Sequence, residues 1–278
     1  MIFERAAVVG LGLIGGSIAR ELACRGAHVS GYDSDARELR AALEAGVVNR
    51  ALDVSLAGVS EAELAIIAVP VDAALGVLQQ LAPHLSGARL VTDVGSTKAR
   101  IVEAATQLGL RRFVGSHPVT GDHRSGWDSS RVGLFLDARV FLCPAQADSE
   151  SLDLAKDFWR ELGGHPAVID ADRHDARLAW TSHLPQVVST ALALALARSG
   201  IARADLGPGG RDVTRLAGSS PDMWAAIAQE NGRAIDEALA TIEQQIADIR
   251  AALTRGGPDA IRGSFVEARE WFDEDPSS

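Results

Sequence analysis

The run Val8-Val9-Gly10-Leu11-Gly12-Leu13-Ile14-Gly15-Gly16-Ser17 decides how this chain is read. It follows the apolar residues Ala6 to Val9 and opens a helical pattern through Ile18, Leu22 and Ala23. Gly10, Gly12 and Gly15 therefore stand as G-x-G-x-x-G at a strand-to-helix turn. There the first glycine permits the tight turn, the second lets a pyrophosphate approach the backbone, and the third lets helix pack on strand. The helix N-terminus adds unpaired N–H groups and the positive end of its dipole. A glycine turn in a nucleotide-free α/β domain would share these three residues, so the motif needs its second half. Val29-Ser30-Gly31-Tyr32-Asp33 supplies it, a second strand ending in an acid. A carboxylate at that place accepts ribose hydroxyls and repels a 2′-phosphate, so the predicted cofactor is NAD rather than NADP. Ser34 and Asp35 follow, with no basic pair to hold a phosphate. The expected cofactor contacts are Gly10, Gly12, Leu13, Ile14, Gly15 and Asp33, with Val69 and Pro70 after the next apolar run.

Composition sets the outer bounds. A chain of 278 residues that is 47% apolar can bury a full core, and its length predicts two domains. The net charge of -10 argues against nucleic acid, because there is no basic excess to neutralise phosphates. Cys24 and Cys143 are the two cysteines, and neither belongs to a C-x-x-C pair. Free, packed thiols in a reducing cytoplasm are the plain expectation. Met1-Ile2-Phe3-Glu4-Arg5 lacks the charged start, apolar stretch and cleavage site of a signal peptide. No apolar run approaches membrane-spanning length.

From residue 1 to about 170 two periods alternate. Short apolar runs occur at 6–9, 29–32, 64–69, 90–94, 112–114, 140–142 and 167–169, and helical patterns at 36–45, 72–81, 98–108 and 151–162. Strand and helix in alternation predict a parallel sheet covered on both faces, a Rossmann-type α/β dinucleotide-binding domain. The last runs have weaker helical spacers and are candidates for antiparallel pairing. Beyond Asp170 the pattern is helical: 172–199, 221–253 and 259–272, with turns at Gly207-Pro208-Gly209-Gly210 and Gly256-Gly257-Pro258. The predicted domains are 1–170 and an all-α domain over 171–278. The stretch Leu178–Leu196 is apolar nearly all round, which predicts a helix buried on several sides. Ile235, Leu239, Ile242, Ile246, Ile249 and Leu253 alternate spacings of four and three, a coiled-coil type seam. An intramolecular bundle would use such faces, but so much apolar helix on so small a domain favours a homodimer. The tail Glu274–Ser278 reads as frayed.

Chemistry in such a domain sits beyond the carboxyl ends of the strands. Thr92–Lys98 and Gly115–Gly121 fall there. Ser96 stands at a strand-to-helix junction, where an N-cap role is the ordinary one. His117 follows the expected strand around Val114, and a histidine in such a loop can act as acid or base near neutral pH. His174 and His183 lie nine apart on one predicted helix, with no H-x-x-E-H or H-E-x-x-H pattern, so no metal is assigned. Arg211 and Arg215 lie one helical turn apart. They suit a carboxylated substrate, or else form a solvated face with Asp212.

In order along the chain, GLGLIGGS (10–17), DVGSTK (93–98), GSHPVTG (115–121), His174-Asp175, SHLP (182–185) and RDVTR (211–215) resemble the prephenate/arogenate dehydrogenase family of tyrosine biosynthesis. The resemblance covers nearly the whole chain. It implies a nucleotide-binding domain followed by a helical dimerisation domain, without the regulatory domain of some relatives. It also implies NAD-dependent oxidative decarboxylation of a cyclohexadienyl carboxylate. His117 matches the family's catalytic histidine, Ser96 a serine near the same hydroxyl, and Arg215 the arginine that holds a substrate carboxylate. Arg211, His183, Gln186 and Thr120 complete the substrate-binding set. Two departures stand out. Gln186 replaces the histidine that often follows SHLP in prephenate-type members, which tilts the reading toward arogenate; an amino-substituted prephenate analogue is a further alternative. Asp122-His123 replaces the usual Thr-Glu.

Two rivals belong to other classes. β-Hydroxyacid dehydrogenases and imine reductases also join a nucleotide domain to a helical dimer domain. The hydroxyacid enzymes depend on a lysine in the helix after the junction, and 172–199 contains none. A non-catalytic NAD-binding regulator would leave His117, Ser96 and Arg215 without a shared target.

Overall fold

The computed structural model describes residues 2–120, 125–255 and 257–274. Gly121 and the Asp122-His123 departure, Gly256 of the second expected turn, and residues 275–278 of the tail lie outside them. The chain runs β1 (Arg5–Val9), α1 (Leu13–Cys24), β2 (His28–Tyr32), α2 (Ala36–Glu44), β3 (Arg50–Ala51), β4 (Leu64–Ile67), α3 (Val71–Leu81), β5 (Leu90–Asp93) and α4 (Ala99–Gln107). It continues through β6 (Gly115–Pro118), β7 (Arg139–Cys143), α5 (Ser149–Glu161), β8 (His165–Val168), α6 (Ala171–Leu178), α7 (Leu184–Arg198), α8 (Pro208–Val213), α9 (Pro221–Glu230), α10 (Gly232–Arg255) and α11 (Gly257–Asp273).

Strands β1 to β5 form one parallel sheet in the order β3-β2-β1-β4-β5. Its strands β1, β4 and β5 are buried on both faces because alternate residues enter two different cores. Ala6, Val8, Leu64, Ile66 and Leu90 pack with Ile18, Leu22 and Phe158, whereas Ala7, Val9, Ala65, Ile67 and Val91 pack with Leu78, Leu81 and Ile101. That is why these runs read as continuous apolar stretches. The strand order reverses direction between β1 and β4, which opens a crevice at their carboxyl ends. Strands β6, β7 and β8 form a second sheet, β6–β7 antiparallel and β7–β8 parallel. After β8 the described residues hold helix and no strand. By internal packing the chain divides into two compact units, one ending at Gly232 and one starting at Arg233. No helix among the described residues is long and apolar enough to cross a membrane.

Several expectations need correction. The strand placed at 112–114 makes only a single bridge, Val91 to Phe113, and the true strand starts at Gly115. Pairing with β7 moves it downstream, so His117 lies within a strand rather than in a loop. The helix expected over 172–199 is two helices joined by a π-helical turn at Ala179–His183. Pro185 cannot donate an N–H to the turn before it, and the backbone widens there. The helix over 221–253 breaks at Asn231, whose side chain turns inward to Asp175 and His183. Pro208 opens a short helix, as proline at a first helical position does. Within this chain α7 is buried only toward its start: Leu184 is covered, but Leu192 and Leu194 are exposed. Cys143 is packed, with burial pushing its thiol up to about 12, but Cys24 is exposed.

Candidate active site

The glycine turn is built as its sequence requires. Gly10 has φ of +96°, and a side chain there would meet the Ala68 carbonyl oxygen at 2.3 Å. A side chain on Gly15 would strike the Gly10 carbonyl oxygen at 1.9 Å, so helix and turn touch through backbone. Gly12 differs, since a Cβ there meets nothing within 4 Å and the outer surface of the turn is open. No side chain caps α1, which leaves its first-turn amides, at Leu13, Ile14 and Gly15, to an acceptor from outside. Asp33 is held at the end of β2 by Leu11 N–H at 2.6 Å and Asp35 N–H at 2.8 Å. Ala68 and Val69 border Gly10, and Pro70 leads into α3 beside them. An open anion-binding turn with a fixed carboxylate one strand away fits a dinucleotide.

At the end of β5, Asp93 forms a buried ion pair with Lys98 and accepts Gly95 N–H at 2.9 Å. Its other oxygen, Oδ1, is buried and makes no hydrogen bond of ordinary length to a described residue, although the Ser116 N–H helps to lower the group. Burial drives the Asp93 carboxyl above its usual range against the pull of Lys98. The next strand is locked beside this one by a chain of hydroxyls. Trp159 Nε1 donates to Ser116 Oγ (3.0 Å), Ser116 to Thr92 Oγ1 (2.8 Å), and Thr92 to the Val114 carbonyl (2.7 Å). That lock sets the position of His117, one residue on.

His117 is 9% exposed. Its Nδ1 lies 2.9 Å from Nε2 of His174, and Nδ1 of His174 lies 2.7 Å from Oδ1 of Asp175. Nε2 of His117 makes no hydrogen bond to a described residue. Burial, then His174, Lys98 and His183, hold the His117 imidazole well below its ordinary range, so it is neutral at pH 7. Asp175 also caps α4, accepting from Lys98 N–H at 2.8 Å and Ala99 N–H at 2.9 Å. Burial raises its carboxyl, but the hydrogen bonds from His174, Ala99 and Lys98 outweigh it and hold the group below its usual range. The cap expected at Ser96 is therefore made by Asp175, and the half-buried Ser96 hydroxyl makes no hydrogen bond to a described residue.

The remaining predicted residues are each held by their own contacts. His183 sits in the π turn, with Nδ1 3.1 Å from Nδ2 of Asn231, and burial lowers it to about 4. Gln186 is buried, and its amide donates to the Leu216 carbonyl at 2.8 Å while Ser219 donates to it at 3.4 Å. It thus grips the short helical turn carrying Arg215. Arg215 lines a cavity of about 550 Å³ between the end of α7 and residues 201–218, together with Arg203 and Thr214. Arg211 donates to the Ala204 carbonyl at 3.2 Å rather than pairing with Asp212. Thr120 donates to the Leu134 carbonyl at 3.1 Å. Sequence reasoning did not single out Lys98, Asp175 or Asn231, though His174-Asp175 stood among its motifs. Among the described residues no group of three His, Cys, Asp or Glu side chains is placed to hold a metal ion.

Residues 18–168 match the family model for the prephenate dehydrogenase nucleotide-binding domain, and residues 170–267 that for the prephenate dehydrogenase dimerization domain. The chain belongs to the prephenate dehydrogenase family. It is 33% identical over 276 residues to prephenate dehydrogenase of Bacillus subtilis, covering 96% of this chain and 74% of that one. It is likewise 33% identical to cyclohexadienyl dehydrogenase of Zymomonas mobilis, covering 97% and 95%. Among solved structures it resembles Aquifex aeolicus prephenate dehydrogenase in complex with hydroxyphenyl propionate and NAD+, with a TM-score of 0.89 at 27% identity over 98% of both chains. Family membership removes the non-catalytic regulator and the hydroxyacid dehydrogenases as readings of this chain.

Proposed function

We propose that this chain oxidatively decarboxylates prephenate or arogenate with NAD, yielding 4-hydroxyphenylpyruvate or tyrosine. The observation that carries the reading is His117, a buried and neutral imidazole with one nitrogen held by His174 and the other without a hydrogen bond to a described residue. Gly10, Gly12, Leu13, Ile14 and Gly15 would hold the cofactor's pyrophosphate, Asp33 its ribose hydroxyls, and Val69 and Pro70 its flank. NAD, when bound, supplies the acceptor for the hydride that leaves ring C4. His117 Nε2 takes the 4-hydroxyl proton, with Ser96 beside the same hydroxyl. The bond from the ring to its carboxylate breaks, its electron pair enters the ring, and carbon dioxide departs. The C4 oxygen is left as a phenolate, to which His117 returns the proton, so the imidazole ends neutral. Aromatisation drives the step, and the protein's task is orientation and proton handling.

Arg215 binds a substrate carboxylate, with Arg211, His183 and Thr120 around the same molecule. Gln186 contributes by fixing the turn that carries Arg215. The functional division is 1–170 for NAD and 171–278 for substrate and dimerisation. The chain works as a homodimer in the cytoplasm. Support for the dimer comes from the apolar residues left exposed on one copy, among them Leu192, Leu194, Ile246, Leu253, Phe265 and Trp271. The test is NADH formation, followed by absorbance, with prephenate and arogenate offered separately. Formation with at least one is expected, and with neither the reading fails.

A further inference from the structure

Asp175 touches neither of the two site histidines directly, yet it is linked to both. Its carboxylate is an acceptor only, so the ring nitrogen 2.7 Å away, Nδ1 of His174, must carry a proton. With that proton placed, Nε2 of a singly protonated His174 is a bare lone pair. It can only accept, and the atom facing it at 2.9 Å is Nδ1 of His117. The His117 proton is thereby drawn to Nδ1, and its Nε2 is left as an acceptor. The second path leaves through the backbone. The Asp175 carbonyl accepts from Nδ2 of Asn231 at 2.8 Å, which fixes the amide's orientation, because its oxygen cannot face another acceptor. The same NH2 group lies 3.1 Å from Nδ1 of His183. Nδ1 of His183 must therefore accept, and its proton stays on Nε2.

We infer that Asp175 sets the tautomers of both histidines in opposite senses: through His174 it makes His117 Nε2 an acceptor, and through Asn231 it makes His183 Nε2–H a donor. His174, Asp175 and Asn231 are positioning residues. The inference rests on the reading of His117 as the group that takes the hydroxyl proton. A substrate of that class matches the pair. It has one hydroxyl whose proton must leave, which needs an acceptor, and carboxylate oxygens that need a donor. Burial supports the assignment, because it keeps both rings neutral at pH 7, when each has one lone pair and one N–H. All five side chains are buried: His174 is 0%, His183 1% and Asp175 6% exposed, so solvent does not supply alternative partners.

The test is nitrogen-15 NMR of the whole protein labelled at histidine, with long-range correlations that distinguish Nδ1–H from Nε2–H rings. Free wild-type protein is expected to give Nδ1–H for His117 and Nε2–H for His183. His174→Phe fills the space but removes the acceptor, so His117 should turn over to Nε2–H. Its kcat should fall by roughly 10²- to 10⁴-fold, the range for a misassigned imidazole, with NAD affinity unchanged. His174→Gln offers an amide oxygen near the former Nε2 and should restore the His117 tautomer and part of kcat. Asn231→Leu should release His183 alone and raise KM more than it lowers kcat. A wild-type spectrum with His117 as Nε2–H overturns the inference, and so does a His174→Phe protein with unaltered nitrogen shifts and turnover. Should His174→Phe not fold, the wild-type spectrum still decides. Should wild-type protein turn over neither substrate, the functional reading fails while the spectrum still judges the tautomers.

Discussion

Asp93 closes strand β5 and Asp175 sits in helix α6, both nearly inaccessible at 1% and 6% exposure; burial raises both carboxyls, yet Asp93 ends above its usual range and Asp175 below it. Asp93 faces a full positive charge, Lys98, and its carboxyl is still raised. Asp175 is paired with His174 rather than with a lysine or arginine, and its carboxyl is lowered. Desolvation is the largest influence on both: at Asp93 it outweighs Lys98 and the Gly95 and Ser116 N–H groups, and at Asp175 it is outweighed by His174, Ala99 N–H and Lys98 N–H. Asp93 has one oxygen shared by Lys98 and Gly95 N–H and a second with no hydrogen bond of ordinary length to a described residue. Asp175 has Lys98 N–H and His174 on one oxygen and Ala99 N–H on the other. At Asp175 each short, directed donor replaces a water lost on burial. The Asp93–Lys98 pair therefore reads as a costly contact held for its position, and Asp175 as a settled anchor.

The largest effect expected from this comparison is on stability. Lys98→Met leaves a buried, unpaired carboxylate, which should cost about 3–5 kcal/mol at pH 7 in denaturant unfolding. The sign with pH is fixed. Asp93 has a folded pKa above its unfolded value, so its protonated form favours the folded state. The variant's deficit should therefore shrink as pH falls from 7 toward 4. A deficit that grows on acidification would mean that Asp93 is not the burdened group. Arg215→Ala tests the other half of the molecule. Losing a charge-assisted contact to a carboxylate should raise KM by roughly ten- to a hundredfold with kcat nearly kept. A fall in kcat at constant KM would place Arg215 elsewhere in the mechanism. The smallest effect is on cofactor choice. Asp33→Ser keeps an acceptor for ribose but removes the charge, so the NAD-to-NADP preference should narrow by about tenfold in kcat/KM. Wild-type protein that prefers NADP would remove Asp33 from that role.

The parts legible in the sequence are those whose chemistry lies in consecutive residues. The glycine turn and Asp33 need only a strand, a turn and a helix in order, and the parallel sheet follows from the alternation of periods. The contacts that make His117 reactive join residues 57 apart, and the link from Asn231 to His183 spans 48. Nothing local in His174-Asp175 says that one side chain caps α4 while the other orients a strand histidine. The misplaced strand at 112–114 has the same cause. Arg112-Phe113-Val114 is apolar enough for a strand, but pairing with β7 puts Gly115–Pro118 in the sheet. The π turn was hidden because apolar periodicity passes smoothly through it, and only Pro185 marks the place. Gln186 could be assigned to a substrate pocket by resemblance, whereas its grip on Leu216 depends on a helix and a turn meeting in space.

The central claim is that a neutral, oriented His117 takes the hydroxyl proton. Its most direct test is the steady-state turnover of His117→Asn with prephenate and with arogenate at saturating NAD, alongside NAD binding by titration. The account predicts turnover reduced by roughly a hundredfold or more, with NAD affinity close to wild type. Near-normal turnover in that variant would contradict it.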